Sequence, residues 1–316
     1  MSDTAHLHWG AEALWQRLEP LLPGLTVEVV ARTDSTNTRL VERAREASGD
    51  PDGPITRPGQ LDPLDDEPVT PHGRRAGDIE PCLLVAEHQF AGRGRLGRDW
   101  KSGPVASLTF SLSLPLAPRD WAGLSLAVGL ALAEALDPAD GAAPEGRAPR
   151  IGLKWPNDLW LLDPAAPGGG RKLGGILIET VSVGRRRVAV VGVGLNVLPL
   201  VLEGLATGYA CLEEVDPGAT APQVLHRVAE PLVKALRVFE RHGFAPLVER
   251  YARRDLLRGQ AVTTSLPAAA SGVAEGVDPG GALRVRTGDA VQRIVSGEVS
   301  VRVAASPPAP TDPAVP

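Results

Sequence analysis

The chain is short of cysteine and lysine, and each shortage narrows what it can be. Its 316 residues hold two cysteines, Cys82 and Cys211, far apart and outside any C-x-x-C pair. That excludes a disulfide framework and offers no zinc-site spacing. Of 33 basic residues only four are lysine: Lys101, Lys154, Lys172 and Lys234. In so arginine-rich a chain, a position that stays lysine points to a need for a compact ammonium rather than a planar fork. No apolar run reaches the roughly 20 residues that span a bilayer. The longest candidate, residues 120–136, carries Glu134 and is closed by Pro138, so it reads as a buried core helix. The first ten residues show neither a basic nor an apolar stretch, and no signal peptide is expected. A formal net charge of -5 argues against bulk nucleic-acid binding. What remains is a cytoplasmic globular protein with room for one large domain and a small one.

The apolar pattern gives the coarse order of elements. A short amphipathic helix covers residues 11–19, followed by a β-branched strand from Thr26 to Val30. Asp34-Ser35-Thr36-Asn37 then leads a polar helix from about Thr38 to Ala47. One cap needs one such residue, so the surplus hydroxyls and amide are also candidates for holding a polar ligand at a helix N-terminus. Residues 49–80 hold eight acidic residues against three arginines and almost no apolar periodicity, which predicts a disordered insertion. Residues 137–149 form a second Pro/Ala/Gly loop.

Between these lies the stretch Gln89-Phe90-Ala91-Gly92-Arg93-Gly94-Arg95-Leu96-Gly97-Arg98-Asp99-Trp100, which follows the apolar strand Cys82–Ala86. Glycines let backbone N–H groups approach a ligand, and arginines supply forks for carboxylate or phosphate. Its glycines also fit G-x-G-x-x-G, but that fingerprint needs a helix at the third glycine. Gly103-Pro104 forbids one, and Ser107–Leu114 alternates as another strand, so the Rossmann reading fails.

Further on, Ile151–Leu162 has strand character on both sides of Pro156, which assigns the middle to an edge or bulge. Lys154, Asn157 and Asp158 are thereby expected to converge on one pocket. Strands over 171–180 and 187–197 bring Lys172, Gly174, Gly175, Gly192, Gly194 and Asn196 to neighbouring strand ends. An amphipathic helix over 221–243, kinked at Pro231, and a second helix from about Ala245 to Leu256 supply scaffold. From Gly259 the chain breaks into five short strands, which suggests a small barrel. Residues 306–316 contain five prolines and are expected to be disordered.

In order, Ser35-Thr36-Asn37, Gln89 with Gly92–Trp100, Lys154–Asp158, Arg171–Glu179, Gly192–Asn196 and Ser296-Gly297-Glu298-Val299-Ser300 resemble the biotin protein ligase family over roughly residues 25–303. The loops at 49–80 and 137–150 are longer than the family pattern. The room ahead of Thr26 is too short for the DNA-binding domain of some members, which implies a ligase without the repressor role. The resemblance implies an α+β fold: a mixed central sheet with helices, like that of class II aminoacyl-tRNA synthetases and biotin ligases, over 1–256. It further implies an SH3-like β-barrel over 257–303 and a tail from 304.

The chemistry implied is ATP-dependent conversion of biotin to biotinyl-5′-AMP, then transfer to a lysine of a biotin carboxyl carrier protein. Two anions must meet, and fixed cations have to neutralise them. Lys172, Arg93 and Arg95 are the catalytic candidates. By resemblance Ser35, Thr36, Asn37, Gln89, Gly92, Arg93, Gly94, Arg95, Lys172, Gly175, Gly192 and Gly194 hold biotin. Arg93, Arg95, Trp100, Asn157, Asp158, Lys172, Asn196 and Arg302 face the adenylate, with Trp100 stacking on adenine. Mg²⁺ arrives with ATP rather than on a protein site. No DNA or membrane partner is implied, and the chain is a monomer or homodimer. The competing readings are a lipoate–protein ligase, a biotin-sensing regulator and a non-catalytic ligand-binding paralogue. The Gly/Arg segment and Lys154-Trp155-Pro156-Asn157-Asp158 favour biotin over lipoate.

Overall fold

The computed structural model describes residues 7–49, 53–56, 80–138, 148–201, 208–295 and 300–304. Its first part runs α1 Ala11–Leu18, β1 Thr26–Thr33, α2 Thr36–Ser48, β2 Ile55–Thr56, β3 Cys82–Gln89, β4 Gly92–Arg93, β5 Asp99–Trp100, β6 Ser107–Pro115 and α3 Leu124–Leu136. Then come β7 Ile151–Lys154, β8 Asp158–Leu162, β9 Gly170–Val183, β10 Arg186–Asn196, α4 Ala221–His242 and α5 Val248–Ala252. The chain closes with β11 Ala261–Thr264, β12 Ser271–Val277, β13 Leu283–Thr287, β14 Ala290–Ile294 and β15 Val301–Val303.

Seven strands form the main sheet in the order β1-β3-β6-β10-β9-β8-β7, with β2 added on β9. Among the described strands only β1 and β3 pair in parallel; the remaining pairs are antiparallel, so the sheet is mixed. α1, α3 and α4 pack their apolar residues on one face, around Leu14, Leu130, Val228, Leu236 and Phe110. α3 is apolar almost all round because it lies between the sheet and α4, and it begins where Gly123 takes a left-handed φ of 81°. α2 covers the other face through Leu40, Val41 and Ala44. The small C-terminal sheet is antiparallel in the order β14-β13-β12-β11-β15.

Several expectations need correction. The 49–80 insertion is not featureless: Ile55 and Thr56 pair with Val181 and Thr180, and Ile55 packs against the α2 cluster. That pairing occupies the stretch of β9 that β8 does not reach, since β8 pairs only up to Gly175. Most of the rest of that insertion (50–52 and 57–79), residues 139–147 of the second loop, Ser296–Val299 and residues 305–316 of the tail lie outside the described residues. Pro156 interrupts no strand; it sits in the turn of the β7–β8 hairpin, which is how two strand-like runs flank it. α2 begins two residues early, at Thr36, because the Ser35 hydroxyl caps it by accepting from the Thr38 N–H. The helix expected up to Leu256 ends at Ala252, and the next residues make β-type contacts with β7 instead. α4 continues past Pro231.

Those contacts tie the segment between α5 and β11 to β7. Leu153 N–H donates to the Arg254 carbonyl at 2.7 Å, and Leu256 N–H to the Leu153 carbonyl at 2.9 Å. Asp255 lies between them, with Oδ1 accepting from Leu257 N–H at 3.0 Å and a buried Oδ2 that has no hydrogen-bond partner. Burial pushes its carboxyl up to about 6, against the backbone N–H groups of Leu257 and Arg258 that hold it down. An unfolded aspartate titrates near ~3.9. Between those values the folded state binds the proton and the unfolded state does not, so stability falls as pH rises through that window. Asp255→Asn is therefore expected to raise stability by on the order of 2 kcal/mol above pH 6 and to leave it little changed below pH 4. Unfolding midpoints that differ equally at both pH values would contradict this.

Candidate active site

One cleft gathers most of the predicted residues where α2, the β4–β5 hairpin and the ends of β8, β9 and β10 meet. Ser35, Thr36, Asn37, Gln89, Arg93, Gly94, Arg95, Trp100, Asn157, Asp158, Lys172, Gly175, Gly192 and Gly194 all line it. Arg98, Asp99, Phe110, Ile176, Leu177 and Val193 complete the wall.

The end beneath α2 is buried and polar. Gln89 Oε1 accepts from Thr36 N–H at 2.7 Å and lies 3.0 Å from the Thr36 hydroxyl. That hydroxyl also lies 2.7 Å from Ser111 Oγ, and Ser111 donates to Asn37 Oδ1 at 2.6 Å. Two hydroxyl protons serve these three oxygen–oxygen contacts: Thr36 donates to Gln89 Oε1 and Ser111 to Asn37 Oδ1, so each hydroxyl has an amide oxygen as acceptor. The backbone N–H of Thr36 also donates to the Gln89 carbonyl, and the Gln89 NH₂ end lies by Gly92, where an added Cβ would come within 3.1 Å of it. Asn37 Nδ2 donates to Glu179 Oε2 at 3.0 Å and to the Leu177 carbonyl at 3.2 Å. Packing enforces glycine here: a Cβ on Gly192 would sit 2.1 Å from Asn37 Oδ1, and one on Gly194 would sit 2.5 Å from the Trp100 indole.

The other end is ionic and partly open. Lys172 Nζ lies 2.8 Å from Asp158 Oδ1, with the two side chains 29% and 22% exposed. Gly175 sits against the ammonium, since a Cβ there would lie 3.5 Å from Nζ. Arg95 donates to Asn157 Oδ1 at 3.2 Å, and the Asn157 amide is anchored on the Ile176 carbonyl at 2.8 Å. Left-handed φ values at Leu96 (59°) and Gly97 (68°) fold the turn that carries Arg95. The Trp100 indole N–H is buried with no acceptor.

Arg93 departs from its expected part as an open cation. Its guanidinium grips Glu179, NH2 to Oε1 at 2.8 Å and NH1 to Oε2 at 3.3 Å. Lys154, expected to point into the cleft, instead sits 4.3 Å over the Trp160 ring. Burial lowers its basicity; Asp158 opposes that, while the positive charges of Lys172, Arg302 and Arg98 add to it. Arg302 thus lies near this cluster, on β15, without lining the cleft. Gly92 lies behind the wall, paired with Trp100. Asn196 is a brace: its amide donates to the carbonyls of Lys172 at 3.3 Å and Ala210 at 2.9 Å, fixing the backbone that carries Lys172. Sequence reasoning missed Ser111 and Glu179. Both occupy strands whose apolar neighbours hide them, and only the register of Ser111 opposite Gly192 gives a signal.

Residues 79–196 match the Biotin/lipoate A/B protein ligase family, and residues 259–302 match the Biotin protein ligase C terminal domain. The chain is 32% identical over 305 residues to the biotin--[acetyl-CoA-carboxylase] ligase of Mycobacterium tuberculosis, covering 92% of this chain and 91% of that one. It is 33% identical over 289 residues to the bifunctional ligase/repressor BirA of Escherichia coli, covering 90% of this chain and 76% of that one. Among solved structures, the biotin protein ligase from Aquifex aeolicus in complex with biotin and ATP superposes with a TM-score of 0.61 at 24% identity. That match covers 89% of this chain and 100% of that one, and it bears on the fold. Running from the Gly/Arg segment through the C-terminal strands, these matches show that the chain belongs to the biotin protein ligase family.

Proposed function

We propose that this protein is a biotin–protein ligase. It condenses biotin with ATP and passes the biotinyl group to a lysine of a biotin carboxyl carrier domain, in the cytoplasm where ATP is available. The observation that carries this reading is the division of one cleft into a buried hydrogen-bonding end, where the Glu179 carboxylate is paired with Arg93, and a cationic end. A ureido ring needs the first, because it presents both N–H donors and a carbonyl acceptor and would be costly to bury unpaired. A carboxylate meeting an α-phosphate needs the second.

In the first step a carboxylate oxygen of biotin attacks the α-phosphorus and pyrophosphate leaves. In the second, the carrier amine attacks the acyl carbon, AMP leaves, and the amine loses its proton. Lys172 is the group we assign to the charge shared between carboxylate and phosphate, with Arg95 beside it. Asp158, at 2.8 Å, holds the ammonium in place. Thr36, Asn37 and Gln89 orient the ring, and Trp100 covers the adenine. Magnesium fits as a companion of the triphosphate. Asp158 is already paired with Lys172, and Mg²⁺ carried in with ATP would supply further positive charge at the phosphates.

Among the described residues no helix is long and apolar enough to cross a membrane. The decisive assay is exchange of pyrophosphate into ATP, run with biotin and with lipoate, followed by streptavidin blotting of a carrier domain. Exchange with biotin and a labelled carrier are expected. Exchange with lipoate alone would replace this reading with the lipoate one.

A further inference from the structure

Glu179 has no part in the chemistry above, yet three elements of the cleft converge on it. It lies on β9, is fully buried, and takes three hydrogen bonds on its carboxylate. Two come from Arg93 on the β4–β5 hairpin and one from Asn37 in the first turn of α2. Arg93 also donates to the Thr38 hydroxyl at 3.3 Å, so the same guanidinium ties the hairpin to α2. With its NH₂ end on Glu179 and Leu177, the Asn37 amide has one orientation left, its oxygen toward Ser111.

We propose that Glu179 is a positioning residue for biotin, acting through Asn37 and Arg93, and that Arg93 serves as its counter-charge rather than as a cation offered to substrate. This rests on the biotin reading of the cleft. A carboxylate at this depth is tolerable only while paired, and removing its cation alone strands a buried charge. Removing both charges together strands nothing. The two possible jobs of Arg93 therefore predict opposite outcomes for the double variant. If Arg93 neutralises substrate, losing Glu179 as well brings no recovery. If it neutralises Glu179, the second substitution repairs the first.

The test uses the full chain, with biotin titrated calorimetrically into the unsubstituted protein, Arg93→Gln, Glu179→Gln and the double variant. Arg93→Gln is expected to weaken biotin by about tenfold or more, and the double variant to regain at least about threefold of that. Glu179→Gln should raise KM for biotin about tenfold while kcat and KM for ATP stay within about threefold. A double variant that binds no better than Arg93→Gln overturns the proposal. So does a Glu179→Gln protein with a lowered melting temperature and an unchanged KM for biotin, because that is the mark of a merely structural tie. If Arg93→Gln does not fold, the KM split of Glu179→Gln decides alone. Failure of the unsubstituted protein to bind biotin would instead reject the function from which this inference starts.

Discussion

Replacing Lys172 with alanine should reduce biotinyl-5′-AMP formation by on the order of 10²–10³, the usual loss when one preorganised donor to a developing charge is removed. The fold should survive. Lys172 and Asp158 are both partly exposed, so the carboxylate left behind can hydrate, and a pair of this kind contributes little to stability. Lys172→Arg should not rescue the rate. The Lys172 ammonium is a compact donor held 2.8 Å from Asp158, and the longer, planar guanidinium cannot place a single point charge at the same spot. The scarcity of lysine in an arginine-rich chain reads the same way. Single-turnover measurement of the adenylate separates this from effects on carrier transfer. Near-normal adenylate formation by Lys172→Ala would move the role to Arg95.

The largest effect on stability should come from Arg254→Met, a loss of about 3–5 kcal/mol in urea unfolding. Arg254 and Asp137 are 4% and 5% exposed, 3.2 Å apart, at the end of α3. Arg254 also donates to the carbonyls of Ile151, at 2.8 Å, and Asp137. Burial pushes the Asp137 carboxyl up, but the N–H groups of Ile151 and Arg150 and the Arg254 guanidinium outweigh it and bring it below the ordinary range. A depressed carboxyl contributes stability that is present above its unfolded value of ~3.9 and lost as pH falls through its folded value. The deficit of Arg254→Met should therefore be largest near neutrality and shrink in acid. Arg254→Met/Asp137→Asn should cost less than Arg254→Met, because no charge is left buried alone. A loss below about 1 kcal/mol, the range of exposed pairs, would contradict this account.

The parts of the site legible in the sequence are those built from unusual composition. The Gly92–Trp100 segment stands out because three glycines among arginines serve no ordinary strand or helix, and Ser35-Thr36-Asn37 because it exceeds what a helix cap needs. Glu179 was hidden for the opposite reason. One acid in an otherwise apolar strand is what a half-exposed edge would show, and nothing local says that a guanidinium from a hairpin 86 positions away lies against it. β6 misleads similarly. Its Ser/Leu/Thr/Phe alternation is the mark of a strand with one wet face, yet all of Ser107–Leu114 is buried, because α2 covers the polar side and Ser111 supports Thr36 and Asn37 from beneath the cleft. Alternation and turn residues marked the individual strands, while the fold class followed from the family resemblance. The sheet order and the insertion's strand on β9 stayed hidden, since pairing partners are set by long-range packing that no window of sequence contains.

The C-terminal sheet is less separable than its size implies. Its residues Val262, Leu283, Val285 and Ile294 belong to the same apolar cluster as α3 and α4. Gly281, at a left-handed φ of 81°, lies so close to Gly123 that a Cβ on it would be 2.6 Å from the Gly123 Cα. The Gly281 carbonyl also accepts from the Trp155 indole at 3.1 Å, and Trp155 is in the turn that delivers Asn157 and Asp158 to the cleft. A domain attached this way cannot be exchanged among relatives as a cassette. Any graft has to bring a glycine for Gly123 to meet and a carbonyl for Trp155 to find, so the two parts of the chain are constrained to evolve as one enzyme.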